Sequence, residues 1–358
     1  MGSAMPDFQL REPRETDVPE IGKLHRRIWP EDQSEEEYIS FYEWLLERNP
    51  ASGYSLVGVV DEKQVAAHCC LAGFHYGIGG RRKTGGFICQ LMVEEAFRKS
   101  LLFASLESKI LHRYPSRDIH FSYGLIDDPA VLKAHMAMGF KKKGKVPVYA
   151  RPYKLFRILK KMVSGSVLKS LLIFLGWPVI KIAEYLLRIR RKQHGELFEA
   201  SEFGEEFTRL FQKMRVVFPA AALRTPEVCN WRFFGNPERK YCVLGIKKEG
   251  DIGAYAVLRP MAMKNFYVMA VVDFFFPPDD SRAGKELFRE IHRRSVEEGV
   301  DMAVCLLSSE SCLTGGLRKS GFIKTPEFFT SVIHIPKDEE DFTERKKWHL
   351  TWFDHDYV

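Results

Sequence analysis

Asp128-Pro-Ala-Val-Leu-Lys-Ala-His-Met-Ala-Met-Gly139-Phe140 reads as a helix, near Pro129 to Met138, closed by a Gly-Phe pair. Glycine readily ends a helix, and the strand-like run KVPVYARP follows at 145–152. Upstream lie the strand DIHFSYGL at 118–125 and a helix near Lys99 to Arg113. Before these come strand-like runs SLVGVV (55–60), QVAAHCCLAGFHYGI (64–78) and GGFICQLMV (85–93), separated by the turn residues DEK and GGRRKTGG. The chain opens on the strand FQLREP (8–13) and the helix TDVPEIGKLHRRIW (16–29), with Thr16 or Asp17 as N-cap and Ile21, Leu24 and Ile28 on one face. The order β-α-βββ-α-β-α-β is mixed α/β.

The 358 residues suffice for two domains, and 45% apolar with 28% charged residues is a globular balance. Seven cysteines, an odd number without CxxC spacing, indicate neither a disulfide framework nor a zinc site, and fit a reducing, cytoplasmic interior. Met1 to Met5 reads as a cloning remnant, and no secretory signal follows it. The formal charge is +7, yet Arg151 to Lys192 carries eleven basic residues against one acid, Glu184; this segment is +10 and the remainder −3. A charge so localised points to an anionic surface met at one place and away from nucleic acid.

Within that segment only eleven residues between Lys169 and Lys181 are free of charge, against the roughly 20 that a spanning helix requires. At helical spacing Leu168, Leu171, Leu172, Leu175, Val179, Ile182, Ala183 and Leu186 share one face, and Gly176-Trp177-Pro178 interrupts the run. Residues 151–195 therefore read as a basic amphipathic helical insert lying at a membrane interface. Its expected contacts are Lys169, Leu172, Phe174, Trp177, Arg188, Arg190 and Arg191. The other reading is a helix packed on the protein's own body with its lysines solvated.

Val93-Glu-Glu-Ala-Phe-Arg-Lys-Ser-Leu-Leu-Phe resembles the strand-to-helix phosphate loop of the GNAT superfamily of acyl-CoA N-acyltransferases, and the 128–140 stretch resembles that superfamily's second motif. The resemblance implies that acyl-CoA is the co-substrate and that no metal takes part. Backbone N–H groups at the loop cradle the pyrophosphate. Lys99 and Leu101 stand where glycines are usual, which leaves Arg98, Lys99 and Ser100 as the phosphate contacts. Leu91, Met92 and Val93 would hold the pantetheine arm on a strand splayed from its neighbour and polarise the thioester. Asp128 replaces a common Asn, and His135 replaces the Tyr that protonates the departing thiolate. His135 is either that acid or an ordinary half-exposed histidine.

After residue 196 the pattern partly repeats: helix 205–218, helix 224–237, hairpin 241–260, strand 267–278, helix 281–299, strand 302–308 and a second Gly321-Phe322. This resembles another GNAT half, one whose phosphate loop is weakened by Asp279 and Asp280 beside Arg282 and Lys285. The expected organisation is 1–5 remnant, 6–150 first GNAT-like half, 151–195 insert, and 196–358 second half with an aromatic and acidic tail. In that tail Asp354, His355 and Asp356 are candidates for the base that frees an ammonium of its proton; equally, the tail is a polar terminus whose aromatics dock into a core. Other candidate bases are Glu94, Glu95, His68, His75 and Asp273.

The reading that joins these features is an N-acyltransferase of lipid metabolism, cytoplasmic and peripherally bound at the inner membrane. It would pass a long acyl chain to a lipid-like amine, with a sphingoid base giving a ceramide-type amide, as in bacterial ceramide synthases, the most specific form. Its rivals are an acetyltransferase for a small polar amine (amino sugar, polyamine or amino acid) and a membrane-tethered binding protein that has lost catalysis.

Overall fold

The computed structural model describes residues 8–30, 33–61, 64–98, 101–155, 157–158, 195–278, 281–336 and 347–355. They form two compact units, one drawn from 1–145, 219–240 and 329–347, the other from 146–218, 241–328 and 348–358.

In the first unit β1 (Phe8–Arg11), β2 (Gly53–Val60), β3 (Gln64–Ile78) and β4 (Arg81–Val93) run antiparallel in sequence order. β5 (Phe121–Ile126) lies parallel to β4. Thr330–His334, the end of β13 (Ile323–His334), pairs antiparallel with β5 and is the sixth strand of this unit. The helices are α1 (Val18–Ile28), α2 (Glu35–Leu46), α3 (Leu102–Arg113) and α4 (Pro129–Ala137). Leu102, Leu106 and Ile110 recur at four-residue spacing on α3, and all three are buried against Leu56, Ala67 and Leu71 of the sheet, with Phe140 and Val332 in the same core.

The sequence reading lacks α2. Its start is nonetheless written in a capping box: Ser34 Oγ accepts from the Glu37 amide at 3.2 Å, and Glu37 Oε2 accepts from the Ser34 amide at 2.7 Å. Asp17 stands at the start of α1 as expected, but its side chain makes no cap bond. It instead accepts from Arg11 Nη2 at 2.9 Å and the Arg14 amide at 2.6 Å.

The second unit repeats the order. β7 (Glu196–Ala200), β9 (Cys242–Lys248), β10 (Asp251–Met263) and β11 (Phe266–Phe275) form an antiparallel run in which β7 pairs β9. β12 (Met302–Leu306) is parallel to β11, and residues 148–152 of β6 (Lys141–Pro152) pair with β12 as the sixth strand of this unit. Its helices are α5 (Glu205–Arg215), α7 (Ser281–Glu297) and α8 (Thr314–Lys319); Phe207, Leu210, Phe211 and Met214 form the buried stripe of α5. Both Gly-Phe pairs end their helices in the same way. Gly139 and Gly321 take φ of +92° and +86°, where a side chain is strained, and Phe140 and Phe322 send their amides back five residues to His135 and Leu317. Both phenylalanines are buried.

The compact units are thus not contiguous stretches divided at 150 and 195. Each unit takes its sixth strand from the segment that closes the other half's sequence, because a strand belongs to the ladder that satisfies its amides. Residues 219–240 join the first unit through β8 (Ala220–Ala222), which pairs with β3, and through α6 (Pro226–Cys229) and the π turn Asn230–Phe234 behind it. The insert positions Lys169, Leu172, Phe174, Trp177, Arg188, Arg190 and Arg191 lie outside the described residues. Among the described residues no helix is long and apolar enough to cross a membrane.

Trp231 of the π turn stacks on Trp44 of α2 with ring centroids 4.7 Å apart. Each indole N–H donates to the other residue's carbonyl, at 2.9 and 3.0 Å. Trp231→Ala opens a large cavity and leaves the Trp44 carbonyl without its donor, so a loss of about 3–5 kcal/mol is expected. The denaturant midpoint should fall with its slope preserved, and Trp231→Phe, which retains most of the stacking, should cost less.

Candidate active site

The site begins where a parallel ladder ends. β4 pairs with β5 only at Gly85–Phe87 against Phe121–Tyr123, although β4 continues to Val93 and β5 to Ile126. On its other edge β4 carries a bulge: His68 faces Met92 and Cys70 faces Cys89, so Gln90 and Leu91 together oppose Cys69. Gln90 sits at φ +50°, a left-handed conformation uncommon for residues other than glycine.

Several side chains hold the bulge. His68 Nδ1 lies 3.2 Å from the Gln90 carbonyl, and Tyr38 Oη donates to Gln90 Oε1 at 3.2 Å. His25 of α1 stacks on Tyr38 at 4.0 Å. His68 is fully buried, and burial lowers its pKa to about 4. The ring is therefore neutral at physiological pH. Because a carbonyl only accepts, its proton is on Nδ1 and Nε2 is bare.

The strand leaves the sheet through the turn Glu95–Phe97, where Arg98 Nε donates to the Val93 carbonyl at 3.2 Å. Leu91 and Val93 are half-buried, Met92 is buried and Arg98 exposed, while Lys99 and Ser100 lie outside the described residues. Leu101, the residue before α3, is 70% exposed and gives the helix no side-chain cap. Asp128 caps α4, its Oδ1 accepting from the Ala130 and Val131 amides at 2.6 and 3.2 Å.

His135 is buried, contrary to the half-exposed alternative, and faces α3. Its Nδ1 lies 2.9 Å from the Val131 carbonyl and its Nε2 3.1 Å from Glu107 Oε1. Nδ1 must donate to that carbonyl, so Nε2 of the neutral ring is an acceptor. Burial pushes the Glu107 carboxyl up to about 8 and lowers the His135 pKa, so the two groups meet as a neutral acid and a neutral imidazole. Glu107 was not foreseen. Its signal is a carboxylate flanked four residues either way by Phe103 and Leu111 on an amphipathic helix.

The tail candidates belong to the second unit. Asp354 is buried and accepts from the Thr351 amide at 2.9 Å, and Thr351 Oγ1 donates to Asp273 Oδ1 at 2.8 Å. Tyr255 Oη donates to the other Asp273 oxygen at 2.8 Å. The structure thus links two candidate bases, Asp273 and Asp354, through one threonine. His355 is half-buried with its ring edge-on to Trp352 at 5.9 Å, and Asp356 lies outside the described residues.

No family model matches this chain, and no curated protein sequence matches it significantly. Solved structures do. A GCN5-related N-acetyltransferase from Anabaena variabilis ATCC 29413 is 14% identical, with a TM-score of 0.63 over 92% of this chain and 73% of that one. A probable N-acyltransferase from Enterococcus faecalis V583 is 10% identical, with a TM-score of 0.62 over 92% and 73%. Saccharomyces cerevisiae N-myristoyltransferase with bound myristoyl-CoA is 14% identical, with a TM-score of 0.63 over 96% and 85%.

The chain has the GNAT fold. The first unit contains the strand end through Leu91, Met92 and Val93, the turn after it and the start of α3, while the bulge at Gln90 was not foreseen.

The Glu107–His135 pair makes stability depend on pH. Folded Glu107 keeps its proton to about pH 8, whereas the unfolded chain releases it in the ordinary carboxylate range. Between those values folded Glu107 holds the extra proton, so its contribution to stability falls as pH rises through the window and levels off above it, while His135, whose pKa burial lowers, contributes the opposite slope as pH rises toward the ordinary imidazole range. Glu107→Gln keeps a neutral donor there. Urea titrations should find the variant near wild-type stability at pH 5 and more stable than wild type at pH 8.5, by a few kcal/mol.

Proposed function

We propose that this GNAT-fold chain is an acyl-CoA-dependent N-acyltransferase. The observation that carries the reading is the parting of β4 from β5 beyond Phe87, with the bulge at Gln90 beside it. A gap between parallel strands leaves peptide groups of Leu91, Met92 and Val93 for the pantetheine arm and for the thioester carbonyl, while Arg98, with Lys99 and Ser100, takes the pyrophosphate. A neutral amine attacks the carbonyl carbon. The C–N bond forms, the C–S bond breaks, coenzyme A leaves as the thiolate, and the proton lost by nitrogen passes to a base. The Asp354–His355–Asp356 group is proposed for that base.

His135 enters the reading as a residue that holds α3 against α4, since both its ring nitrogens face groups of the chain itself. His135→Gln is expected to leave turnover at saturating substrate within about threefold. A loss of about a hundredfold or more would instead make it the acid for the departing thiolate.

For the acceptor we propose a lipid-like amine and a long-chain donor, with a sphingoid base giving a ceramide-type amide as the most specific form. Its support is the +10 amphipathic segment from Arg151 to Lys192, which suits an anionic leaflet. The purified protein is to be incubated with acetyl-CoA or a long-chain acyl-CoA, each against a sphingoid base and spermidine in mixed micelles, following free thiol and product mass. An amide from the long-chain donor and lipid amine alone is the expected result. Thiol release with acetyl-CoA and spermidine alone selects the small-amine acetyltransferase. Flotation with anionic liposomes in the absence of any coenzyme A binding selects the non-catalytic binding protein.

A further inference from the structure

We propose that His68 is a positioning residue that aims the Leu91 amide into the gap beside β4, where it meets the thioester oxygen. The assignment rests on the N-acyltransferase reading and gives its electrostatic step a specific origin.

The argument is one of peptide geometry. No cis peptide bond occurs among the described residues, so the Gln90–Leu91 unit is trans, and in a trans unit the C=O and N–H point in opposite directions. His68 Nδ1 takes the Gln90 carbonyl at 3.2 Å. The Leu91 N–H is thereby directed away from His68. Leu91 has no register partner in β3, because it is part of the bulge, and none in β5, because that ladder stops at Phe87. A backbone donor so placed, outside both registers, is the kind that stabilises a developing oxyanion.

The means of holding it are specific. Gln90 is gripped at its carbonyl by His68 and at its side chain by Tyr38, which fixes a left-handed residue that would otherwise relax. The His68 ring lies 5.6 Å from that of Tyr42, whose hydroxyl meets Ser55 Oγ at 3.0 Å. His68 Nε2 is buried and meets no hydrogen-bond partner among the described residues. A buried acceptor left unsatisfied is uncommon, and here it is the counterpart of using the other nitrogen to fix the backbone.

The test compares variants that move one N–H. Asn places its amide nitrogen where Nδ1 stands, Gln places it nearer Nε2, and Leu supplies none. Coenzyme A binding is read by calorimetry, and kcat and KM with the donor and amine that turn over in the assay above. His68→Leu should bind coenzyme A within about threefold of wild type while kcat falls by about 10²–10³, the size of effect seen when one oxyanion donor is lost. His68→Asn should recover most of that loss and His68→Gln little. Where His68→Leu does not fold, the Asn and Gln variants carry the same comparison. A wild-type kcat in His68→Leu overturns the assignment, and so does an equal loss in the Asn and Gln variants. A wild-type protein that neither binds coenzyme A nor cleaves a thioester overturns the N-acyltransferase reading, and this assignment with it.

Discussion

The three-residue contact between β4 and β5 is the constraint on which the first unit turns. Parallel strands normally pair along their common length, yet here Gly85, Gly86 and Phe87 pair with Phe121, Ser122 and Tyr123 and the strands then diverge. The point of contact is set by close approach. A methyl group on Gly85 would stand 2.4 Å from the Phe121 ring, so only glycine lets the strands meet there. The point of departure is set by two competing demands: β5 remains paired with Thr330–His334 as far as Ile126, while the bulge bends β4 away.

Buried titratable groups then fix the backbone that the divergence frees. His68 and Glu107 are both fully buried, and burial drives both toward their neutral forms from opposite sides, the imidazole losing its proton and the carboxyl keeping it. Neither works as a charge. His68 holds one carbonyl of the bulge, and Glu107 of α3 lies 3.1 Å from His135 on α4, whose first turn is fixed by Asp128. Around His68 and Glu107 these contacts lie in a low-dielectric interior to which salt has little access.

The second unit keeps the backbone device and fills it differently. β11 bulges at Val272, between the pairs Val257–Asp273 and Leu258–Val271, and the β11–β12 ladder stops at Val271–Cys305. Beside this bulge stands the buried Asp273, bonded to Tyr255 and, through Thr351, to Asp354. The tail aromatics Trp352 and Phe353 are buried, as the docking alternative for that segment expects.

The sequence by itself determined the local elements. A continuous apolar run bounded by turn residues places β3 at Gln64–Ile78, and helical patterns place α3 and α4 within a few residues, because such patterns are properties of the segment alone. The two Gly-Phe helix ends are legible for the same reason, since a left-handed residue followed by an apolar one is a local code. The start of α2 is equally local, in the Ser34 and Glu37 capping box, a polar signal that apolar patterning does not carry. Only the tertiary structure decided which ladder receives β6 and β13, why Gln90 is left-handed, and that Glu107 faces His135. Each of these depends on partners apart in the chain, 22 residues for His68 with Gln90, as does the Trp44–Trp231 pair, whose members are 187 residues apart. A hydrogen bond between such residues leaves no period in the sequence, because its geometry exists only once the backbone has been packed.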